Sequence, residues 1–171
     1  MFIGHVAMGL AAKRLAPRQS LAVLVTAPMF LDVLWPVFCA LGLERFRIAP
    51  GDTVYTPLAF DWYPWSHSLV MSLLWSVLFG VIVWRATGDR AGAVIVGGLV
   101  VSHWALDWIT HRPDMPLWPG GPLLGLGLWN SVAGTIVIES LLFVAAVAVY
   151  VRATRARDRI GGIAFWALVL L

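Results

Sequence analysis

Ala93-Val94-Ile95-Val96-Gly97-Gly98-Leu99-Val100-Val101 runs without a charge into Ser102-His103-Trp104-Ala105-Leu106-Asp107-Trp108-Ile109-Thr110-His111-Arg112-Pro113-Asp114. The first nine residues are apolar throughout, so the stretch begins inside a nonaqueous environment. If it is helical, His103 and Asp107 are four apart and lie on one face, ~40° from each other around the axis. His111, four residues further on, extends them into a stripe. Pro113 has no amide hydrogen and ends the helix. A helical His-x-x-x-Asp offers one ring nitrogen and one carboxylate oxygen to a divalent metal. The chain has four histidines, and two are in this stretch. His67 heads another apolar run, in Tyr63-Pro64-Trp65-Ser66-His67-Ser68, and His5 lies in the apolar N-terminal segment.

Working outward, the composition fixes the setting. Of 171 residues, 60% are hydrophobic and 12% charged, and the mean hydropathy is +0.85. A soluble domain carries about twice that charged fraction. The chain is therefore an integral membrane protein, and no shift in composition divides it, so residues 1–171 are one domain. The net charge of +3 is no sign of nucleic-acid binding, because the basic residues flank apolar runs and so report topology. The single cysteine, Cys39, lies among apolar neighbours and reads as a packing residue. Trp62, Trp65, Trp108, Trp118 and Trp129 stand at run ends, where an interfacial aromatic belt belongs.

Phe2 to Ala12 is too short for a full span and ends at Lys13-Arg14, so it reads as a half-buried helix. Ser20 caps a first full span, Leu21 to Leu43, which Asp32 interrupts four residues before Pro36. Glu44 to Pro64 is the longest loop. Trp65 to Ala86 is a second span, Ala91 to Thr110 a third, and Thr87-Gly88-Asp89-Arg90 a tight turn that makes the two antiparallel neighbours. Arg112 to Asn130, centred on Pro119-Gly120-Gly121-Pro122, reads as an ordered non-helical loop. Ser131 to Tyr150 is the fourth span, with Glu139 inside it. Gly161 to Leu171 begins a further apolar segment that stops too early to cross, so the expectation is a truncated or half-inserted segment. The fold class is all-α: a polytopic transmembrane bundle of four full spans, a short N-terminal helix and a partial C-terminal one.

Lysine and arginine set the orientation. Lys13, Arg14, Arg18, Arg85, Arg90, Arg152, Arg155, Arg157 and Arg159 fall on one side, and Arg45, Arg47 and Arg112 on the other. Nine against three makes the first side cytoplasmic, and the two long loops outward-facing. At ~1.5 Å per helical residue, His67 and Asp107 lie about one turn below the outer boundary, and His103 and Glu139 roughly two. Asp32 reaches about mid-bilayer from the other side, and His5 points to the same layer. Five segments thus send a titratable group to one depth. An ionisable group there costs at least ~2.5 kcal/mol, which makes it a functional hypothesis by default. Each also has a structural reading. His5 could bond a helix carbonyl, Asp32 a backbone group freed by Pro36, and His67 a capping cluster with Ser66 and Ser68. Asp107 could pair with His103 or Arg112, and Glu139 with His111.

Gly4-His5 in an apolar helix, Leu31-Asp32 in the first long span, His67-Ser68 opening a span and His103-x-x-x-Asp107 ending one together resemble the predicted membrane-bound metal-dependent hydrolases of bacteria. That family is distantly similar to zinc-dependent phospholipases C and single-strand nucleases. The resemblance covers about residues 1 to 115 and implies a metal-ligand role for His5, Asp32, His67, His103 and Asp107. It also implies a bacterial inner (cytoplasmic) membrane location. Gly125-Leu126-Gly127-Leu128-Trp129-Asn130-Ser131, with Glu139 after it, looks like a subgroup labelled hydrolase or permease. The chain departs from the family where Trp62-Tyr63 replace its common His-Arg pair, and where one Asp stands instead of two. A single metal, or a degenerate site, is the corresponding expectation.

The resulting functional expectation is a membrane-embedded hydrolase with an outward-facing pocket and a divalent metal, zinc before manganese given His and carboxylate ligands without Cys. Asp32 and Arg112 are the expected catalytic residues, Asp32 as ligand or base and Arg112 as an anion holder. His111 and Glu139 are additional candidates. The depth points to a lipid or lipid-linked substrate, and the expected substrate class is a lipid or phosphoester reached from the outward-facing side. The alternatives are a small permease, with Asp32, Glu139 and the histidines as a proton or cation relay, and a non-catalytic membrane subunit.

Overall fold

The computed structural model describes residues 1–170; Leu171, the last residue of the terminal apolar segment, lies outside the described residues. Among the described residues there are seven α-helices: α1 (Phe2–Ala12), α2 (Leu21–Ala40), α3 (Pro64–His67), α4 (Leu69–Thr87), α5 (Arg90–Thr110), α6 (Val132–Ala153) and α7 (Arg159–Leu170). Of these, α2, α4, α5 and α6 are long and apolar enough to cross a membrane. The molecule is an all-α membrane bundle, as its composition requires. Leu73, Leu74, Val77, Leu78, Val81 and Ile82 of α4 and Ile136, Val137, Leu141 and Val144 of α6 stay exposed on its outside. An apolar surface of that extent needs lipid to cover it.

Helix ends follow local rules. Ser20, Ser68, Asp89 and Ser131 each accept a hydrogen bond from the amide three residues on, which starts α2, α4, α5 and α6. Gly88, with φ of 70°, terminates α4 in the left-handed conformation that a side chain disfavours. The buried Gln19 donates to Asp89 Oδ2 at 2.9 Å and so ties the α1–α2 turn to the α4–α5 turn. The Gly92 amide and Gln19 together hold the Asp89 carboxyl below its ordinary range.

Helix α5 is the axis of the bundle, and α4, α2 and α1 pack around it. α1 is wedged between α2 and α6. Close packing of α1 on α2 depends on two residues. Pro28 lacks an amide hydrogen, so the Leu24 carbonyl in α2 has no i+4 donor. Gly9 of α1 sits on that carbonyl, where an added Cβ would lie 2.5 Å from the Leu24 oxygen. Leu24, Ala27, Leu31, Val96 and Val100 then fill the space between α2 and α5.

Two features depart from the sequence reading. The Glu44 to Pro64 loop contains an antiparallel hairpin, β1 (Arg45–Ile48) with β2 (Leu58–Trp62), in register Ile48 opposite Leu58. The alternating Arg45-Phe46-Arg47-Ile48 is its signal: Phe46 packs on Trp35 at the outer end of α2. The second span also does not start at Trp65. Ser68 is extended (φ −76°, ψ 150°), so α3 is a separate turn and α4 begins at Leu69. A second small pairing, β3 (Met115–Pro116) with β4 (Leu123–Leu124), orders the later loop.

Both long loops lie at the same end of the bundle, and the nine basic residues lie at the other. A reporter fused after Arg90 is therefore expected to read cytoplasmic, and one inserted near Gly120 to read external. Reversed readings in the two fusions contradict the assigned orientation.

Candidate metal centre

Three structural devices aim side chains at one point beneath the hairpin. Helix α5 carries His103 and Asp107 on its buried face, one turn apart. The break at Ser68 turns His67 inward from the end of α3. The half-length α1 ends its N-terminal turn at the same level and delivers His5. All four side chains are buried; Asp32, from α2, is 36% exposed and faces a cavity beside them.

The distances are short. His103 Nε2 lies 3.2 Å from His67 Nε2 and 2.9 Å from Asp107 Oδ2. Asp32 Oδ1 is 3.5 Å from His67 Nε2 and 3.7 Å from His103 Nε2. His5 Nε2 is 3.1 Å from the other Asp107 oxygen, and the His5 ring stacks on His103 at 3.9 Å between centroids. The Met1 amine also donates to Asp107 Oδ1, at 2.5 Å. Two sets of three, His5–His103–Asp107 and Asp32–His67–His103, each bring one ligand atom per residue within 4.8 Å of the others.

Hydrogen bonds behind the rings set their tautomers. His103 Nδ1 lies 2.6 Å from the Pro28 carbonyl, which can only accept, so Nδ1 carries the proton. Ser66 Oγ lies 2.6 Å from His67 Nδ1 and 2.7 Å from Glu44 Oε2. Its single proton goes to the carboxylate, so it accepts from His67 Nδ1–H. Glu44 is buried and also accepts from the Ser66 amide at 2.8 Å. In the neutral rings both Nε2 atoms thus present lone pairs to each other across 3.2 Å. Such a pair repels unless a proton or a cation lies between.

A cation fits. Tetrahedral zinc with bonds of about 2.0–2.1 Å separates its ligands by roughly 3.3 Å. The His67–His103, His103–Asp107 and His67–Asp107 separations, 3.2, 2.9 and 3.9 Å, bracket that value. Buried imidazoles with the second nitrogen bonded to a carbonyl or to a carboxylate-backed hydroxyl are the usual support of a metal ligand. Ser66→Ala removes this support from His67 while leaving the ring in place. The expected result is a loss of divalent-metal affinity of about 10–100-fold, read by competition with a chelating indicator. Unchanged affinity contradicts the relay.

The remaining candidates sit differently. His111 caps α5 at its outer end, and its Nε2 is 3.9 Å from Asp107 Oδ2. It lines the cavity. Asp114, which the sequence reading did not single out, binds His111 Nδ1 at 2.9 Å and accepts from the Tyr63 hydroxyl at 3.0 Å. Burial, with Asp114 beside it, raises Tyr63 well above the usual phenol range, so it stays a donor. Arg112 does not face the cavity as an anion holder: its guanidinium bonds Asp52 at 2.5 Å and Asp114 at 3.2 Å, and its charge is taken up there. Glu139 does not pair with His111. Its Oε2 accepts from the Ile3 and Gly4 amides at 2.9 and 3.3 Å, capping the buried start of α1 from α6. Glu44 and Asp114 carry no local sequence signal of a role at the site, and Ser66 reads only as part of a capping cluster around His67.

The cavity has a volume of about 540 Å³. Asp32, His67, Asp107 and His111 form its polar floor, and Met29, Val33, Trp35, Leu58, Phe60 and Trp129 are among its apolar walls.

Comparison with known proteins adds one relationship. No curated protein and no solved structure matches the chain. The family described as YdjM inner membrane protein matches residues 64–171, well over half of the chain. The match includes His67, His103, Asp107 and His111; His5 and Asp32 lie before it. Four membrane-length helices in one bundle agree with that description, and the chain belongs to the YdjM inner membrane protein family.

Proposed function

We propose that the protein is a membrane-embedded, metal-dependent hydrolase acting on a lipid or other phosphoester-type substrate from the outer side of the membrane. The observation that carries the reading is the pair of buried Nε2 lone pairs, His67 and His103, facing each other 3.2 Å apart beside Asp107. The Pro28 carbonyl and the Glu44-backed Ser66 hydroxyl leave both Nε2 atoms free to accept a metal. His67, His103 and Asp107 would hold one divalent ion, zinc by donor type, and leave a position open toward the cavity. Such an ion, when bound, polarises an ester or phosphoryl oxygen and makes water acidic.

The chain's own groups divide the remaining work. Asp32 is farther from His103 than Asp107 is (3.7 against 2.9 Å), lies 3.5 Å from His67, and is the more exposed carboxylate. It takes the proton from the attacking water. His5 holds the second Asp107 oxygen and keeps its first turned to His103. His111, oriented by Asp114, faces the leaving side of the cavity and is placed to hand on a proton. Arg112 positions Asp114 rather than substrate. Glu139 caps α1 and does not line the cavity, so of the two carboxylates a proton relay would use only Asp32 faces it.

The test is hydrolysis by purified protein loaded with zinc, using phospholipids and a chromogenic phosphodiester. Metal-dependent product release that His103→Ala abolishes supports the reading. No release with zinc, manganese or magnesium on either substrate contradicts it.

A further inference from the structure

Phe2 of α1 lies ten residues above Ala12, ~15 Å above the cytoplasmic boundary and about half of a ~30 Å hydrocarbon core. The cavity opens where α1 and α2 meet at that level: Phe2 of α1 and Met29, Val33 and Pro36 of α2 line it. Phe2 is 68% exposed and Val33 53% exposed, so both reach from the cavity to the lipid-facing surface. Val33 is twelve residues up α2, ~18 Å above the same boundary, which sets the opening within the outer half of the hydrocarbon.

The aqueous side, in contrast, is roofed. Tyr55, from the tip of the hairpin loop, bonds its amide to the Trp129 carbonyl at 3.2 Å, and the two rings stack at 6.4 Å. Thr56, Leu58 and Phe60 continue the roof toward His111. A polar floor, apolar walls, a clasp toward water and an open side toward lipid describe a compartment filled from the bilayer.

We propose that the cleft between Phe2 of α1 and Val33 of α2 is a lateral portal occupied by an acyl chain of a bilayer phospholipid. The chain lies along Val33, Met29 and Trp35, and the phosphoester end reaches the floor at Asp32 and His67. This deepens the proposed function, on which the choice of a phosphoester head rests. The portal itself rests on the exposure of Phe2 and Val33 at the edge of the cavity they line.

The experiment uses full-length protein in phosphatidylglycerol–phosphatidylcholine vesicles containing a phosphatidylcholine with a photoactivatable diazirine in its acyl chain. Adducts are mapped by peptide mass spectrometry, and metal content is measured on the same samples. Expected are adducts on Trp35 and Leu58, inside the cavity, as well as on lipid-facing Leu74 and Leu78 of α4. Val33→Trp should reduce the inner adducts by roughly tenfold or more, the loss that follows when a chain competes with an indole for filled space. Adducts on α4 should not change. Labelling confined to the outer faces, or inner labelling that Val33→Trp leaves intact, overturns the portal. Bound metal with no inner labelling leaves the hydrolase reading standing and removes the portal. Inner labelling without metal does the reverse.

Discussion

His103→Ala is expected to strip the divalent metal from the purified protein while the protein still inserts and stays folded. A closed four-ligand zinc site in a folding peptide is worth about 10–16 kcal/mol, so one ligand accounts for roughly 3–4 kcal/mol, or on the order of 10²–10³-fold in affinity. His103 is the shared member of both donor sets, 3.2 Å from His67 and 2.9 Å from Asp107, so no neighbour can take its place. The bundle survives because its spans satisfy their backbone bonds internally and are held in lipid by their apolar surface. His111→Ala is the control. Its Nε2 is 3.9 Å from Asp107 and its other nitrogen is engaged by Asp114, so metal content should stay at the wild-type level. Metal content by mass spectrometry and thermal stability in detergent read both outcomes. Equal metal loss in the two variants contradicts the assignment of His103 as a ligand and of His111 as a wall.

The second large effect is expected far from any titratable group. Gly9→Leu must push α1 away from α2, because a Cβ there meets the Leu24 oxygen at 2.5 Å and Val25 Cα at 2.7 Å, both backbone atoms that cannot rotate aside. Overpacking of this kind costs about 1–3 kcal/mol. The displacement carries His5, one turn earlier on α1, away from Asp107. Thermal stability and metal affinity should fall together. Gly98→Leu supplies the comparison, since a Cβ at Gly98 meets nothing within 4 Å. If Gly9→Leu is as mild as Gly98→Leu, α1 does not dock on the freed carbonyl.

Apolar run length and charge placement made the spans legible. Leu21, Leu69, Arg90 and Val132 begin helices close to where the sequence put them, because a bilayer leaves an apolar run of that length few other structures. The i,i+4 spacing likewise placed His103, Asp107 and His111 on one face of α5, and depth arithmetic put His5, Asp32 and His67 at their level. What the sequence hid were contacts between distant segments. Nothing local shows that Glu139 bonds two amides of α1, or that Arg112 meets Asp52 sixty residues away. The hairpin was missed because its strands alternate for only four or five residues and lie in a loop of mixed polarity. The break at Ser68 was missed for a related reason: Pro64-Trp65-Ser66-His67 reads as the first turn of the span, and only the extended Ser68 backbone separates it.

The central claim is that His67, His103 and Asp107 form a divalent-metal centre. Its most direct test is elemental analysis of the wild-type protein after purification without chelators, followed by titration with zinc. The account predicts about one divalent ion per chain, retained through gel filtration and lost in His103→Ala. A wild-type protein that carries no metal as purified, and takes up none under any loading condition, contradicts it.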